Sequence, residues 1–186
     1  VKYGHHERRS SQNFIGGDEH DAPMRLDFFV WAIKGPDRAY VVDTGFSKAT
    51  AERRQRMHLR CPTDGLKLVG VDAGKVDDVI LTHMHYDHAG NNDLFPQARF
   101  HVQDKEIAFC TGRCMCHNVF RHPFDVEDVL GMVRKAFAEL ETGFGGGAFQ
   151  RAEVKEIYPR VLPMRLRQLW RVDVRKANLV GVLPVD

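Results

Sequence analysis

Apolar and polar positions divide the chain into short strand-like runs interleaved with stretches suited to helices. Residues 1–27 are mostly polar and read as an extended segment. Residues 26–34, Leu26-Asp27-Phe28-Phe29-Val30-Trp31-Ala32-Ile33-Lys34, predict a strand, and the Gly35-Pro36-Asp37-Arg38 turn returns the chain into a second strand over 39–43. Ser47 is placed to cap a helix over 48–59, which Cys61-Pro62 would break, and 63–69 suits a short helix. Val79-Ile80-Leu81-Thr82 is an apolar, mostly β-branched run expected to form a buried strand, with turn chemistry at Ala89-Gly90-Asn91-Asn92. A further strand over 98–102 precedes a helix over 104–110. Over 125–141, Val126, Val129, Leu130, Val133, Phe137 and Leu140 repeat at the spacing of one helical face. This order predicts a layered α/β (α+β) domain. Phe28, Phe29 and Trp31 are expected in its core.

Composition narrows the classes. With 186 residues, 43% hydrophobic and 28% charged, the chain can build one domain with a real core. A net charge of +2 implies neither a nucleic-acid nor a membrane partner. No apolar run approaches the roughly 18 residues that span a bilayer. No secretory leader is legible, and because Val1 opens the chain the true start is expected upstream. Cys61, Cys110, Cys114 and Cys116 then read as reduced thiols, and a cytoplasmic setting is expected.

The chemistry concentrates in His83-Met84-His85-Tyr86-Asp87-His88, an HxHxDH pattern. Imidazole and carboxylate together suit zinc and its neighbours. A helix steps side chains by about 100° per residue and cannot aim all four at one point. A loop leaving the 79–82 strand can. Upstream, Tyr40-Val41-Val42-Asp43-Thr44-Gly45 is a strand ending in a turn.

The motif, preceded by Asp43-Thr44-Gly45 about 40 residues earlier, resembles the metallo-β-lactamase superfamily of dinuclear hydrolases. Tyr3-Gly4-His5-His6-Glu7-Arg8-Arg9, Asn13-Phe14-Ile15-Gly16-Gly17, Thr82-His83-Met84-His85-Tyr86-Asp87-His88-Ala89-Gly90 and Cys110-Thr111-Gly112-Arg113-Cys114-Met115-Cys116-His117 are similar to its N-acyl-homoserine lactonase-like branch. The resemblance covers residues 1–138 and implies an αββα sandwich, incomplete in its second half. It implies two divalent metals, zinc above others: His83 and His85 on the first, Asp87 and His88 on the second, with Asp43 orienting a ligand imidazole. It also implies a metal-bridging hydroxide that opens a lactone or small ester, Asp87 acting as the catalytic group that returns a proton to the leaving alkoxide. The expected partner is a small-molecule lactone or ester; a homodimer stays open.

The second half departs from the family pattern. No histidine follows His122, and no aspartate lies between Asp128 and Asp173, so a third histidine, a bridging aspartate and a last histidine are missing. Arg160, Arg165, Arg167, Arg171, Arg175 and Lys176 face only Asp173 over 157–176. Residues 1–138 are therefore expected to be the first half of the domain. Residues 139–186 are expected to be a tail from a shifted reading frame, a divergent tail, or a basic interaction segment. Two functions stand: a lactonase-like metallo-hydrolase, or a truncated, non-catalytic protein of the same fold. Other superfamily substrates are alternatives within the first. A phosphodiesterase would want a basic groove, and β-lactam cleavage a secreted chain. Cys110, Cys114, Cys116 and His117 are expected to be thiols and a loop histidine rather than a zinc site, His117 and His122 surface residues, and His101 a packed residue.

Overall fold

The computed structural model describes residues 1–145. The apolar run at 26–34 is not one strand but two, β2 (Leu26–Phe29) and β3 (Trp31–Lys34), in different sheets. The break falls at Val30, which is fully buried and exchanges backbone hydrogen bonds with Val1: Val30 N–H donates to Val1 O at 3.0 Å, and the Val1 nitrogen donates to Val30 O at 2.6 Å. Val1 thus satisfies the backbone groups that a strand crossing between sheets leaves open.

One sheet is antiparallel, with β1 (Lys2–His6) at its centre between β2 and β5 (Met57–His58). The other has the order β3, β4 (Ala39–Val42), β6 (Asp78–Ile80), β7 (Arg99–His101). Here β3 and β4 form the expected hairpin, while β4, β6 and β7 run parallel, pairing Val42 with Ile80 and Ile80 with His101. The helices are α1 (Lys48–Arg53), α2 (Pro62–Leu68), the single turn α3 (Tyr86–Ala89), α4 (Asp104–Cys110), the short α5 (Asn118–Arg121) and α6 (Val126–Gly145). The expected α/β architecture is therefore present. Among the described residues no helix is long and apolar enough to cross a membrane.

Two expectations need correction. The helix expected over 48–59 ends at Arg53. Gln55 takes a left-handed φ of 55°, and Met57 and His58 pair with β1 instead. Ladder hydrogen bonds outweigh propensity here, since among the described residues β1 has no other partner on that side. Ser47 still caps the helix, accepting from Thr50 N–H at 3.2 Å. Second, Phe28 is buried, but Phe29 and Trp31 are not core: they stack on each other at 5.4 Å and stay 38% and 52% exposed. Phe29 alternates away from Phe28 along β2, and Trp31 is on the edge strand of the other sheet.

The core beneath the site is aromatic. Phe46 receives Tyr3 and Phe28 edge-on at 4.8 and 5.0 Å and stacks on Tyr86 at 5.8 Å. Each such pair contributes about 0.5–1.5 kcal/mol beyond the area it buries. All four cysteines are free, with Cys110 buried and its thiol pushed up to about 11 by burial and the nearby Glu106. His101 is packed, with Nε2 2.8 Å from Asp78 Oδ1. His117 and His122 are exposed. The tail expected over 139–186, with its basic run at 157–176, lies outside the described residues apart from the backbone of α6 up to Gly145.

The expected apolar face of α6 is only partly used: Met132 is buried, whereas Val126 and Phe137 are each 60% exposed. In its first turn Asp128 is held against Asp125, and its Oδ2 is buried without a hydrogen-bond partner among the described residues. Burial and then Asp125 push its carboxyl up to about 7, against an ordinary value of 3.8. A raised acid is a cost that is absent below its unfolded pKa and grows as pH rises through the folded one. Asp128→Asn should therefore leave the melting temperature nearly unchanged at pH 4 and raise it at pH 8, where the gain in stability is about 1–2 kcal/mol after solvent screening. Equal stability of the two proteins at pH 8 would contradict the burial argument.

Candidate metal centre

Parallel strands deliver side chains to one edge, the carboxyl ends of β4 and β6. Asp43 follows β4, and Thr82 and His83 follow β6 one residue after Leu81. Asp43 is 2% exposed and holds a left-handed φ of 62°, a conformation that Asp tolerates better than most residues but at a cost of about 1–3 kcal/mol. Its hydrogen bonds account for that geometry. Asp43 N–H donates to Ile80 O at 2.9 Å. Oδ1 accepts from Thr82 N–H at 2.8 Å, and Thr82 Oγ1 lies 3.0 Å from each carboxylate oxygen. Oδ2 accepts from His88 Nδ1 at 2.7 Å.

The next residues lock the two turns together. Thr44 N–H donates to His88 O at 2.7 Å, and Asn91 donates from N to Thr44 Oγ1 at 3.2 Å and from Nδ2 to Thr44 O at 3.0 Å. Gly90 N–H donates to Gly45 O at 2.8 Å. A Cβ on Gly90 would meet that same carbonyl at 2.9 Å and Tyr86 O at 2.8 Å, so this contact admits only glycine.

The motif itself is half loop and half helix. His83 and His85 lie on the loop, whereas Asp87 and His88 sit in the single turn α3, for which His85 is the N-cap residue. The expectation of a loop for all four is corrected accordingly: one helical turn folds back far enough to bring His88 to His83. The His83 ring lies 3.9 Å from that of His88 and 4.3 Å from that of His85, centroid to centroid. Asp87 Oδ2 is 3.4 Å from His88 Nε2. The four predicted motif residues and Asp43 are thus brought together.

Four neighbours were not among the site residues expected from the sequence. Thr82, which reads as the end of an apolar strand, links Asp43 to His83 Nδ1 at 3.0 Å. Tyr3, on β1, donates its hydroxyl to Asp87 O at 2.7 Å. Glu106 on α4 accepts from Met84 N–H at 2.8 Å. Phe124 stands edge-on to His85 at 4.7 Å. Phe124 also lines an apolar cavity of about 300 Å³, together with Cys110, Met115, Val129 and Leu130, with Arg121 among its walls.

The electrostatics separate the imidazoles. Burial lowers His83, and burial with the adjacent His83 lowers His85 to about 4, so both are neutral at pH 7. Burial also opposes charge on His88, but the hydrogen bonds to Asp43 and Asp87 outweigh it and push His88 up to about 9. Asp87, although burial raises it, is held below its ordinary value by His88. Neutral imidazoles next to carboxylates are the donor set that divalent zinc-like ions take. At His88, a cation and the Nε2 proton compete for one lone pair, while Asp43 keeps Nδ1–H and fixes the tautomer. The residues therefore fit a divalent metal in kind. Among the described residues, however, no three His, Cys, Asp or Glu side chains form a ready metal-holding group.

Residues 28–108 match the model of the metallo-beta-lactamase superfamily. A probable metallo-hydrolase of Methanocaldococcus jannaschii is 42% identical over 45 residues, 24% of this chain and 22% of that protein. A probable metallo-hydrolase of Bacillus subtilis is 29% identical over 99 residues, 50% of this chain and 38% of that protein. Among solved structures, an N-acyl homoserine lactone hydrolase with the product N-hexanoyl-L-homoserine bound at its catalytic metal center aligns with a TM-score of 0.52 at 18% identity, over 70% of this chain and 54% of that one. A B. thuringiensis AiiA mutant with N-decanoyl-L-homoserine bound at the active site gives the same TM-score, 0.52, at 18% identity and the same coverage, 70% and 54%. At these identities the likeness shows the fold. The matches span less than two fifths of the curated relatives and about half of the solved chains.

Asp43 is what keeps His88 charged in the metal-free protein. In Asp43→Asn, burial should prevail and the His88 imidazole should titrate well below about 9. A histidine-detected NMR titration of metal-free protein measures this directly; a value unmoved from wild type would mean that Asp87 alone holds the proton.

Proposed function

We propose that this chain, whose residues 28–108 carry a metallo-beta-lactamase superfamily domain, is a metal-dependent hydrolase that opens a lactone or small ester. The observation that carries the reading is the meeting of His83, His85, Asp87 and His88 above the Asp43 carboxylate, at the ends of two parallel strands. His83 and His85 would hold one divalent ion, and Asp87 and His88 a second; zinc suits these donors. Bound there, a divalent metal supplies a water of lowered pKa and polarises a carbonyl oxygen.

The chain's own residues do the rest. Asp43 receives Nδ1–H of His88 and so turns Nε2 toward the cluster. Thr82, bonded to Asp43, accepts Nδ1–H of His83 and leaves Nε2 as the free donor. Asp87 keeps a carboxylate at the cluster, where Oδ2 can take a proton and return it to a leaving alkoxide. Tyr3 pins the Asp87 backbone and Phe124 covers His85, limiting water on that side. The lactonase-like fold and the apolar cavity lined by Phe124 support a substrate with an apolar arm, such as an acyl lactone. The four free cysteines support a reducing, cytoplasmic setting.

A second reading is favoured by a specific observation. The described residues hold no ready metal-holding group, and the chain matches about half of its solved relatives. On that reading residues 1–138 are an incomplete copy of the domain, followed by a divergent tail, and the chain binds one metal or none.

Elemental analysis of protein purified without a tag or chelator separates the two. Near two metals per chain, with His85→Ala and Asp87→Asn abolishing lactone hydrolysis while circular dichroism stays unchanged, is the expected result. One metal or none, without hydrolysis, selects the incomplete domain. Full hydrolysis by His85→Ala with stoichiometric metal would remove His85 from the site.

A further inference from the structure

Three successive carbonyls, of His122, Pro123 and Phe124, are captured by two residues distant in sequence, the Arg54 side chain and the Tyr86 backbone. Arg54 donates from Nη1 to His122 O at 3.0 Å and from Nη2 to Phe124 O at 3.2 Å. Tyr86 N–H donates to Pro123 O at 2.9 Å. The same guanidinium lies over the Tyr86 ring, with Cζ 4.0 Å from its centroid. Tyr86 stands in the motif between His85 and Asp87, and its hydroxyl accepts from Arg56 Nε at 3.0 Å. Arg54 reaches this place because α1 stops early: the left-handed Gln55 turns Arg54 and Arg56 toward one ring. Its Nε–H is buried without an acceptor among the described residues, so the fork and the stacking alone hold the group.

What the captured segment presents to the motif is Phe124. Its ring is 7% exposed and meets the His85 ring edge-on, 4.7 Å away at 89°, and an isolated bridge joins the two backbones. Among the described residues His85 has no hydrogen bond to a side chain that would fix its ring, in contrast to His83, which has Thr82, and His88, which has Asp43. Packing takes the part that hydrogen bonding takes for the other two.

We propose that Arg54 is a positioning residue for His85. By forking across the His122 and Phe124 carbonyls while stacked on Tyr86, it holds Phe124 against the imidazole and sets the direction in which His85 offers its lone pair. This rests on the reading of His85 as a metal ligand. A planar, five-donor guanidinium is required, because an ammonium cannot bridge two carbonyls and lie flat on a ring at once.

The test compares wild type, Arg54→Met, Phe124→Leu and the double variant. Zinc affinity is read by competition with a chromophoric chelator. The His85 ring resonances are read by NMR in metal-free protein and assigned against His85→Ala. Each single variant should weaken zinc binding by about tenfold, the effect of removing support behind a ligand. The double variant should lose the same tenfold, because both changes remove one contact. Arg54→Met should also shift the His85 resonances in the metal-free protein, as Phe124→Leu does. Losses that multiply to about a hundredfold, or His85 resonances unmoved by Arg54→Met, would overturn the proposal. Should the wild type take up no zinc, the metal reading falls, and the metal-free His85 resonances alone decide the positioning role.

Discussion

The carboxylate of Asp43 is the interaction on which the site depends. It lies at the end of β4, almost fully buried, in a left-handed backbone conformation that costs energy on its own. A buried carboxylate without partners would be far more costly still. Both costs are offset because Thr82 and His88 converge on it. The same contacts tie the end of β4 to the end of β6 and to the first helical turn after it. Removing one partner would leave a buried charge behind, which is why breaking such a pair costs more than its net worth.

From this hub the arrangement spreads outward in layers. Thr44, Gly45, Gly90 and Asn91 stitch the two turns together through backbone and side-chain hydrogen bonds, with Gly90 at a separation only glycine permits. Beneath them Phe46 gathers Tyr3, Phe28 and Tyr86, so the N-terminal strand becomes part of the floor of the site. Above them, Arg54 and Phe124 close the side on which His85 stands. Hydrogen bonds orient His83 and His88; aromatic packing orients His85. The three imidazoles consequently differ in charge, two neutral and one protonated, although they share six residues of sequence.

The sequence pattern foretold the strands at 39–43 and 79–82, the helix over 104–110 and most of α6, because periodicity and capping are local signals. It misjudged the run at 26–34, where Val1 splits one apolar segment between two sheets. It also overextended α1, where β1 recruits Met57 and His58. Trp31 looked like core because apolarity says nothing about which strand ends on an edge.

His83, His85, Asp87 and His88 were legible from the sequence as candidate donors, since donor chemistry and spacing survive any change of fold around them, and Asp43 was legible through the family resemblance alone. Their assembly was not. That Thr82 bridges Asp43 to His83, that Tyr3 pins Asp87, and that Arg54 holds Phe124 on His85 are contacts across separations of up to 84 residues. Only the parallel pairing of β4 with β6, and the fold that returns β1 and the 122–124 segment to their ends, decides them. Sequence fixes which atoms can bind; tertiary structure fixes where they point and how they are charged, because orientation and burial belong to the packed neighbours and not to the residue itself.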